Sequence, residues 1–319
     1  MATPLFAIPL KIARKLYSIA NPDSSAFGRN WNMVPLKDYA NELIYKALIS
    51  DKPVMIARLG STEMLCMTNY LGVKNQEIYK SYRGYIKGQT PPWWWEPAMI
   101  NQMQHWSGFF PGSVSKIEQF CELMLADMPE VDILGSWLKD EIFFKLELAN
   151  SKKVMLEDLE PFFTNKPWTK ALEGKKVLVV HPFAKTIESQ YKHRELLFAN
   201  KDFLPEFELK IIKAVQSIAG EKTEFSTWFD ALDYMKTEID NEDYDICLIG
   251  CGAYGFPLAA HVKRRGKKAF HIGGSLQLLF GIKGKRWENE KRLGNEYWVF
   301  PGDDETPNAA YTVEGGCYW

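Results

Sequence analysis

Residues 244–274 read YDICLIGCGAYGFPLAAHVKRRGKKAFHIGG, and this stretch constrains the fold more than any other. Ile246–Ile249 is a short apolar run of strand formers, too short to assign by periodicity alone. It ends on Gly250, Gly252 and Gly255, spaced G-x-G-x-x-G. Phe256–Val262 reads as a largely buried helix whose end carries Lys263, Arg264 and Arg265. Cations complement a helix C-terminus, and Gly266 is suited to stop it. A second strand, Ala269–Ile272, closes on Gly273 and Gly274. Strand, glycine turn, helix and strand together make half of a Rossmann-like βαβ unit.

Glycines let a backbone approach phosphate closely, and a helix N-terminus offers free N–H groups with partial positive charge. The turn therefore predicts nucleotide binding through Gly250, Gly252, Ala253, Tyr254, Gly255 and Gly273, against the alternative of glycines placed only for packing. The acidic residue that would hold a ribose about 20 positions further on is absent, and His271 stands near that place. A nucleotide other than NAD is the better expectation.

The flanking chain alternates in the same way. Leu36, Tyr39, Ala40, Leu43, Ile44, Ala47 and Leu48 recur at helical spacing. Pro53 precedes a strand, Val54–Ala57, that delivers Arg58, Gly60, Ser61 and Glu63 at its C-terminal end. Ligands of open α/β sheets bind at that edge. Helices are expected around residues 117–125, 140–148, 187–198 and 228–239, with strands at 131–134, 154–156, 176–180 and 209–214. His181 ends one of these strands, while Glu157 and Asp158 follow another. Strands alternating with helices predict a doubly wound, mostly parallel sheet.

An N-terminal extension (1–35) precedes a catalytic domain (36–300) in two halves, 36–160 and 175–300, broken near Pro161–Gly174; a tail (301–319) ends VEGGCYW and is expected to dock back. Residues 79–112 hold Tyr79, Tyr82, Tyr85, Trp93, Trp94, Trp95, His105, Trp106, Phe109 and Phe110 among prolines. They read either as an acceptor-binding insertion or as an aromatic subcore. In residues 1–20, Leu10, Ala13 and Tyr17 share one helical side and Lys11, Arg14 and Lys15 another, which suits a docked helix or one at a membrane surface.

A formal net charge of −1 offers no global field to recruit nucleic acid. Five cysteines without a C-x-x-C pair suggest neither a disulfide framework nor zinc, which fits a reducing cytoplasm. No apolar run approaches the ~18 residues that span a bilayer.

Arg58–Glu63, RLGSTE, is similar to the R-F-G-D-G-E signature of bacterial glycosyltransferases of the GT-D fold. The 244–274 segment resembles that group's C-terminal strand, glycine turn, helix and strand, which ends in a D-I-G type sequence. The resemblance spans roughly residues 36–285, with specific motifs at its two ends. It implies transfer of a sugar from a nucleotide-sugar donor, UDP-linked before others, to a glycan or lipid-linked acceptor in surface polysaccharide assembly, with Mn²⁺ or Mg²⁺. On it, Glu63 takes metal or base duty and Arg58 and Ser61 position the donor; His181 and His271, from their places at the ends of strands, are lesser acid/base candidates. Ser61 replaces the group's Asp and His271 its second acid, leaving a weaker site for a hard cation. The rival expectations are a nicotinamide-dependent oxidoreductase and a non-catalytic scaffold of a polysaccharide complex.

Overall fold

The structure is a computed structural model that describes residues 3–21, 37–288, 290, 293–313 and 315–319. Most of the polar stretch 21–32, the start of the first internal helix at Leu36, and Glu314 of the tail lie outside the described residues.

Seven strands form one open sheet: β1 Val54–Arg58, β2 Ile133–Ser136, β3 Lys152–Met155, β4 Lys176–His181, β5 Glu208–Lys213, β6 Ile246–Ile249 and β7 Lys268–His271. Their order is β3-β2-β1-β7-β6-β4-β5, and every pairing is parallel. The expected doubly wound parallel sheet is therefore present. Both halves of the chain feed it, so Pro161–Gly174 crosses between them without interrupting the sheet. That crossing is itself packed: Phe162 and Trp168 are buried, and the Trp168 ring lies 4.6 Å from Phe270 of β7.

A parallel sheet covered on both faces must be apolar at successive positions, and β1, β4 and β6 are. Met55, Ala57, Leu178, Val180, Cys247 and Ile249 join one core layer, while Val54, Ile56, Val177, Val179, Ile246 and Leu248 join the other. The longer helices are α1 Ala7–Ala20, α2 Lys37–Ile49, α3 Ser61–Lys74, α4 Pro97–Trp106, α5 Val114–Asp127, α6 Ala184–Tyr191, α7 Trp228–Asp240 and α8 Gly255–Arg264. Helices α3, α4, α5, α7 and α8 cover the first layer; α2 and α6 cover the second. In α2 the stripe of Ala40, Ile44 and Leu48 is buried, whereas Tyr39 faces solvent.

Local chemistry fixes the ends of these helices. Thr227 and Asp230 make a reciprocal capping box that starts α7, with bonds of 2.8 and 3.2 Å. At the end of α8, Arg264 reaches Asp127 and Glu130 while Lys263 reaches Asp132. Gly266, at φ +78°, turns the chain into β7.

Two helix expectations change. Residues 139–144 form a 3-10 helix, because the Glu141 carboxylate takes the amides of Trp137 and Leu138 and shortens the turn. The expected 187–198 helix is two pieces, α6 and Arg194–Leu197, broken after Tyr191. The tail docks: Gln277 Nε2 donates to the Tyr318 carbonyl at 3.0 Å, and Trp319 meets Phe183 at a ring distance of 6.3 Å.

The aromatic stretch divides. Tyr85, Trp93 and Trp94 form a small core closed by Ala7 and Leu10 of α1, as the subcore reading expects. Phe109 joins the main core, in contact with Phe120 and Trp228. Trp228 is fully buried and stacked on Tyr254 at 4.8 Å. Trp228→Ala should cost about 3–5 kcal/mol in urea denaturation, against within ~0.5 kcal/mol for the exposed Tyr311→Ala.

Candidate functional site at the switch point of the sheet

The loops after β4 and β6 leave in opposite directions, one toward β5 and the other toward β7. Adjacent strands with diverging connections open a crevice at their C-terminal ends, where open α/β sheets bind ligands. A cavity of about 180 Å³ lies there. Arg58, Gly60, Ser61 and Glu63 reach it from β1 and α3; His181 from β4; Gly250, Gly252, Ala253 and Tyr254 from β6; and His271 and Gly273 from β7. Gly255 does not line it, and neither Glu157 nor Asp158 does. Asp158 is buried under α2, where its carbonyl accepts from Asn41.

The three motif glycines have different duties. A Cβ on Gly250 would stand 2.7 Å from His181 Cδ2, and one on Gly255 would stand 2.2 Å from the His271 ring. These two glycines make room for imidazoles. Gly252 has open space beside it but a φ of +58°, so the turn itself requires it. Amides that open a helical turn have no acceptor within it. Those of Gly252 and Ala253 find none elsewhere among the described residues. The Tyr254 ring stacks on Trp228, and its hydroxyl lies 3.0 Å from Ser217.

Gly60 performs a similar service for Glu63, whose Oε2 lies 1.8 Å from where a Gly60 Cβ would be. The carboxylate thus folds back over the start of α3. It makes no hydrogen bond or ion pair among the described residues, although the residue is 9% exposed. Ser61, at the first position of α3, also lines a second cavity beneath α1. The N-terminus of α6, also beside the crevice, is already occupied: Glu305 accepts from the amides of Lys185 (2.8 Å) and Thr186 (3.2 Å).

Arg58 is braced from below. Its guanidinium lies 5.1 Å from the Trp137 ring centroid, and Trp137 Nε1 donates to the Leu59 carbonyl at 3.0 Å. A second guanidinium, Arg286, lines the same cavity against the ring of Tyr318 at 4.8 Å. Sequence reading missed Arg286, Trp137, Gln277 and Ser217; only the docking tail hinted at Tyr318 and Trp319.

Both histidines are buried and held neutral. Desolvation lowers His181 to about 3; desolvation, helped by the nearby Arg58 charge, does the same for His271. Their tautomers are opposite. Nδ1 of His181 accepts from the Phe183 amide at 3.0 Å, so its proton sits on Nε2. Nδ1 of His271 lies 3.3 Å from the Ile249 carbonyl and must donate, leaving a lone pair on Nε2. The site therefore holds one neutral donor ring, one neutral acceptor ring, two cations and one carboxylate.

Glu63 is the one carboxylate among the described residues that line the cavity, so a Mg²⁺ there would have to draw its other ligands from water and a bound phosphate. No group of three or more His, Cys, Asp or Glu suited to a metal occurs among the described residues. Comparison with family models, with curated proteins and with solved structures finds no match for this chain.

The buried imidazoles set a pH dependence. Each is neutral when folded, yet titrates near 6.5 when unfolded, so below pH 6.5 the unfolded chain binds more protons and stability falls toward pH 3. With the slope rising from half to nearly all of about 1.4 kcal/mol per pH unit per ring, the pair should remove about 3 kcal/mol between pH 6.5 and 5. Urea denaturation across that range measures it, and His271→Gln should remove about half of the two-ring contribution to the slope.

Proposed function

We propose that this protein is a glycosyltransferase that takes a sugar from a nucleotide-sugar donor, built on a GT-D-like variant of the parallel sheet. One observation carries the reading: the switch-point cavity joins an open glycine turn and two arginines to a single unpartnered carboxylate. The amides of Gly252 and Ala253, with Arg58 and Arg286, would take the diphosphate by charge-assisted hydrogen bonds. With Glu63 the one carboxylate among the described lining residues, leaving-group charge would fall chiefly to these arginines and to the neutral Nε2–H of His181. Glu63, without a hydrogen-bond or ion-pair partner among the described residues, is the group to accept the proton of an attacking hydroxyl.

About 180 Å³ is less than the ~300 Å³ at the lower end for small-molecule pockets. The enclosed part would suit pyrophosphate and sugar, with the nucleoside extending from its mouth. Trp106 and Ser217 are shared with a neighbouring groove of about 690 Å³ that His105, Phe109 and Phe110 also line. This groove, supplied largely by the aromatic stretch, is the proposed acceptor side, for a glycan or lipid-linked sugar.

Thermal unfolding against UDP, GDP, dTDP, CMP and NAD, with and without Mn²⁺, tests the donor. A nucleoside diphosphate at about 100 times its Kd should add about 2.7 kcal/mol, several degrees at the midpoint, without Mn²⁺. A response to NAD alone would replace the transferase by an oxidoreductase. Glu63→Gln should keep the nucleotide shift and lose about 10²–10⁴-fold in sugar transfer; near-normal turnover in that variant would sink the base assignment.

A further inference from the structure

Helix α1 has two working faces, and the fold uses one of them. Ala7 and Leu10 close the small aromatic core around Tyr85, Trp93 and Trp94. Arg14 lies over the Tyr85 ring at 4.7 Å, and Lys11 pairs with Glu96. The helix is therefore fixed to the body along this side. The opposite side carries Leu5, Ile8, Ile12, Leu16 and Ile19, which are 85, 47, 56, 63 and 68% exposed. Ile8, Ile12 and Leu16 recur every fourth residue, and Leu5 and Ile19 extend the same stripe at three-residue steps. Leaving such a stripe in water forfeits the burial that stabilises every other long helix of the fold. Something must cover it.

Charge identifies the cover. Residues 3–20 hold Lys11, Arg14 and Lys15 and no acid. Lys15 is exposed and borders the apolar stripe. Behind the helix, Arg14 Nη2 and Lys139 Nζ both stand 3.8 Å from the position a Gly88 Cβ would take, with Lys87 lining the same cavity. One acid, Asp140, lies beside them. A lengthwise apolar stripe with Lys15 at its edge, on a helix segment that carries cations and no acid, is the pattern of a helix lying in a lipid interface, and anionic headgroups complement its charge.

We propose that α1 lies in the plane of an anionic phospholipid bilayer, with Leu5, Ile8, Ile12, Leu16 and Ile19 among the acyl chains. The inference does not rest on the transferase reading. It has a consequence for the site, however. The cavity between α1 and α3, lined by Arg14 and Lys87, shares Ser61 with the central cavity. Docking through α1 would bring the Ser61 side of the site close to the headgroups, where a ligand carried on a lipid would arrive.

The test is sedimentation of the full chain with vesicles of phosphatidylcholine alone, or with about 30 mol% phosphatidylglycerol, an anionic fraction large enough to create a surface potential. The protein should pellet with the anionic vesicles, remain free of the neutral ones, and be released by about 0.5 M NaCl, which screens surface charge. Ile12→Glu with Leu16→Glu should abolish binding with an unchanged thermal midpoint, since both side chains are solvent-exposed. Lys15→Gln should weaken it about fivefold, the loss of one surface cation. Equal pelleting of the wild type and the double variant would overturn the proposal, as would equal binding to neutral vesicles. A solution dimer that the double variant dissociates, with no vesicle binding by either protein, would assign the stripe to a second copy of the chain.

Discussion

The structure depends on the insertion of β7 between β1 and β6. Strands β1, β2 and β3 come from the first half of the chain and β4, β5 and β6 from the second. Neither set hydrogen-bonds to the other. β7 pairs with both, from Val54 to Ala57 on one side and from Ile246 to Ile249 on the other. Its Phe270 packs on Trp168 of the crossing segment, so the same strand also fastens the link between halves. The cavity inherits this dependence: Arg58 and Glu63 arrive from one half, the glycine turn from the other, and β7 brings them to a common edge.

At that edge, absent side chains matter as much as present ones. Gly250, Gly255 and Gly60 each leave the space that a neighbouring functional group fills, two imidazoles and one carboxylate. The G-x-G-x-x-G spacing reads most naturally as three glycines serving a phosphate. Of these three, only Gly252 combines a positive φ with open space beside it. The first and third house His181 and His271 in contact too close for any Cβ, and enclosure of the rings keeps them neutral.

Elements whose cause is local were legible in the sequence. The strands are short apolar runs closed by polar or glycine residues, and α7 announces itself by the apolar stripe of Trp228, Leu232, Met235 and Ile239. Where the cause is distant, reading failed. Glu305 caps a helix 119 residues earlier in the chain, at Thr186. Nothing around Asp303–Glu305 marks it as a cap. Arg286 reaches the cavity because the tail folds over it, again a long-range event. The aromatic run was visible as composition, but its division among a subcore, the main core and the groove followed from where α1 and α7 pack. Residues 139–144 tightened into a 3-10 turn because Glu141 is buried and must satisfy its oxygens on nearby amides.

These facts order the candidates for proton transfer. A buried imidazole held near a pKa of 3 has no accessible imidazolium at neutral pH and is a weak base, so neither histidine is matched to carry a full proton. As neutral groups with opposite tautomers they can orient a ligand, His181 by donating and His271 by accepting. Glu63 differs from the other buried acids. Glu141 and Glu305 spend their oxygens on backbone amides, and Asp127 is tied to Arg264. Each of those holds the fold together. Glu63 makes no such bond among the described residues, yet Gly60 leaves the space that admits it. A carboxylate that shares a cavity with two guanidinium groups and has no hydrogen-bond or ion-pair partner among the described residues is the group on which the proposed chemistry turns.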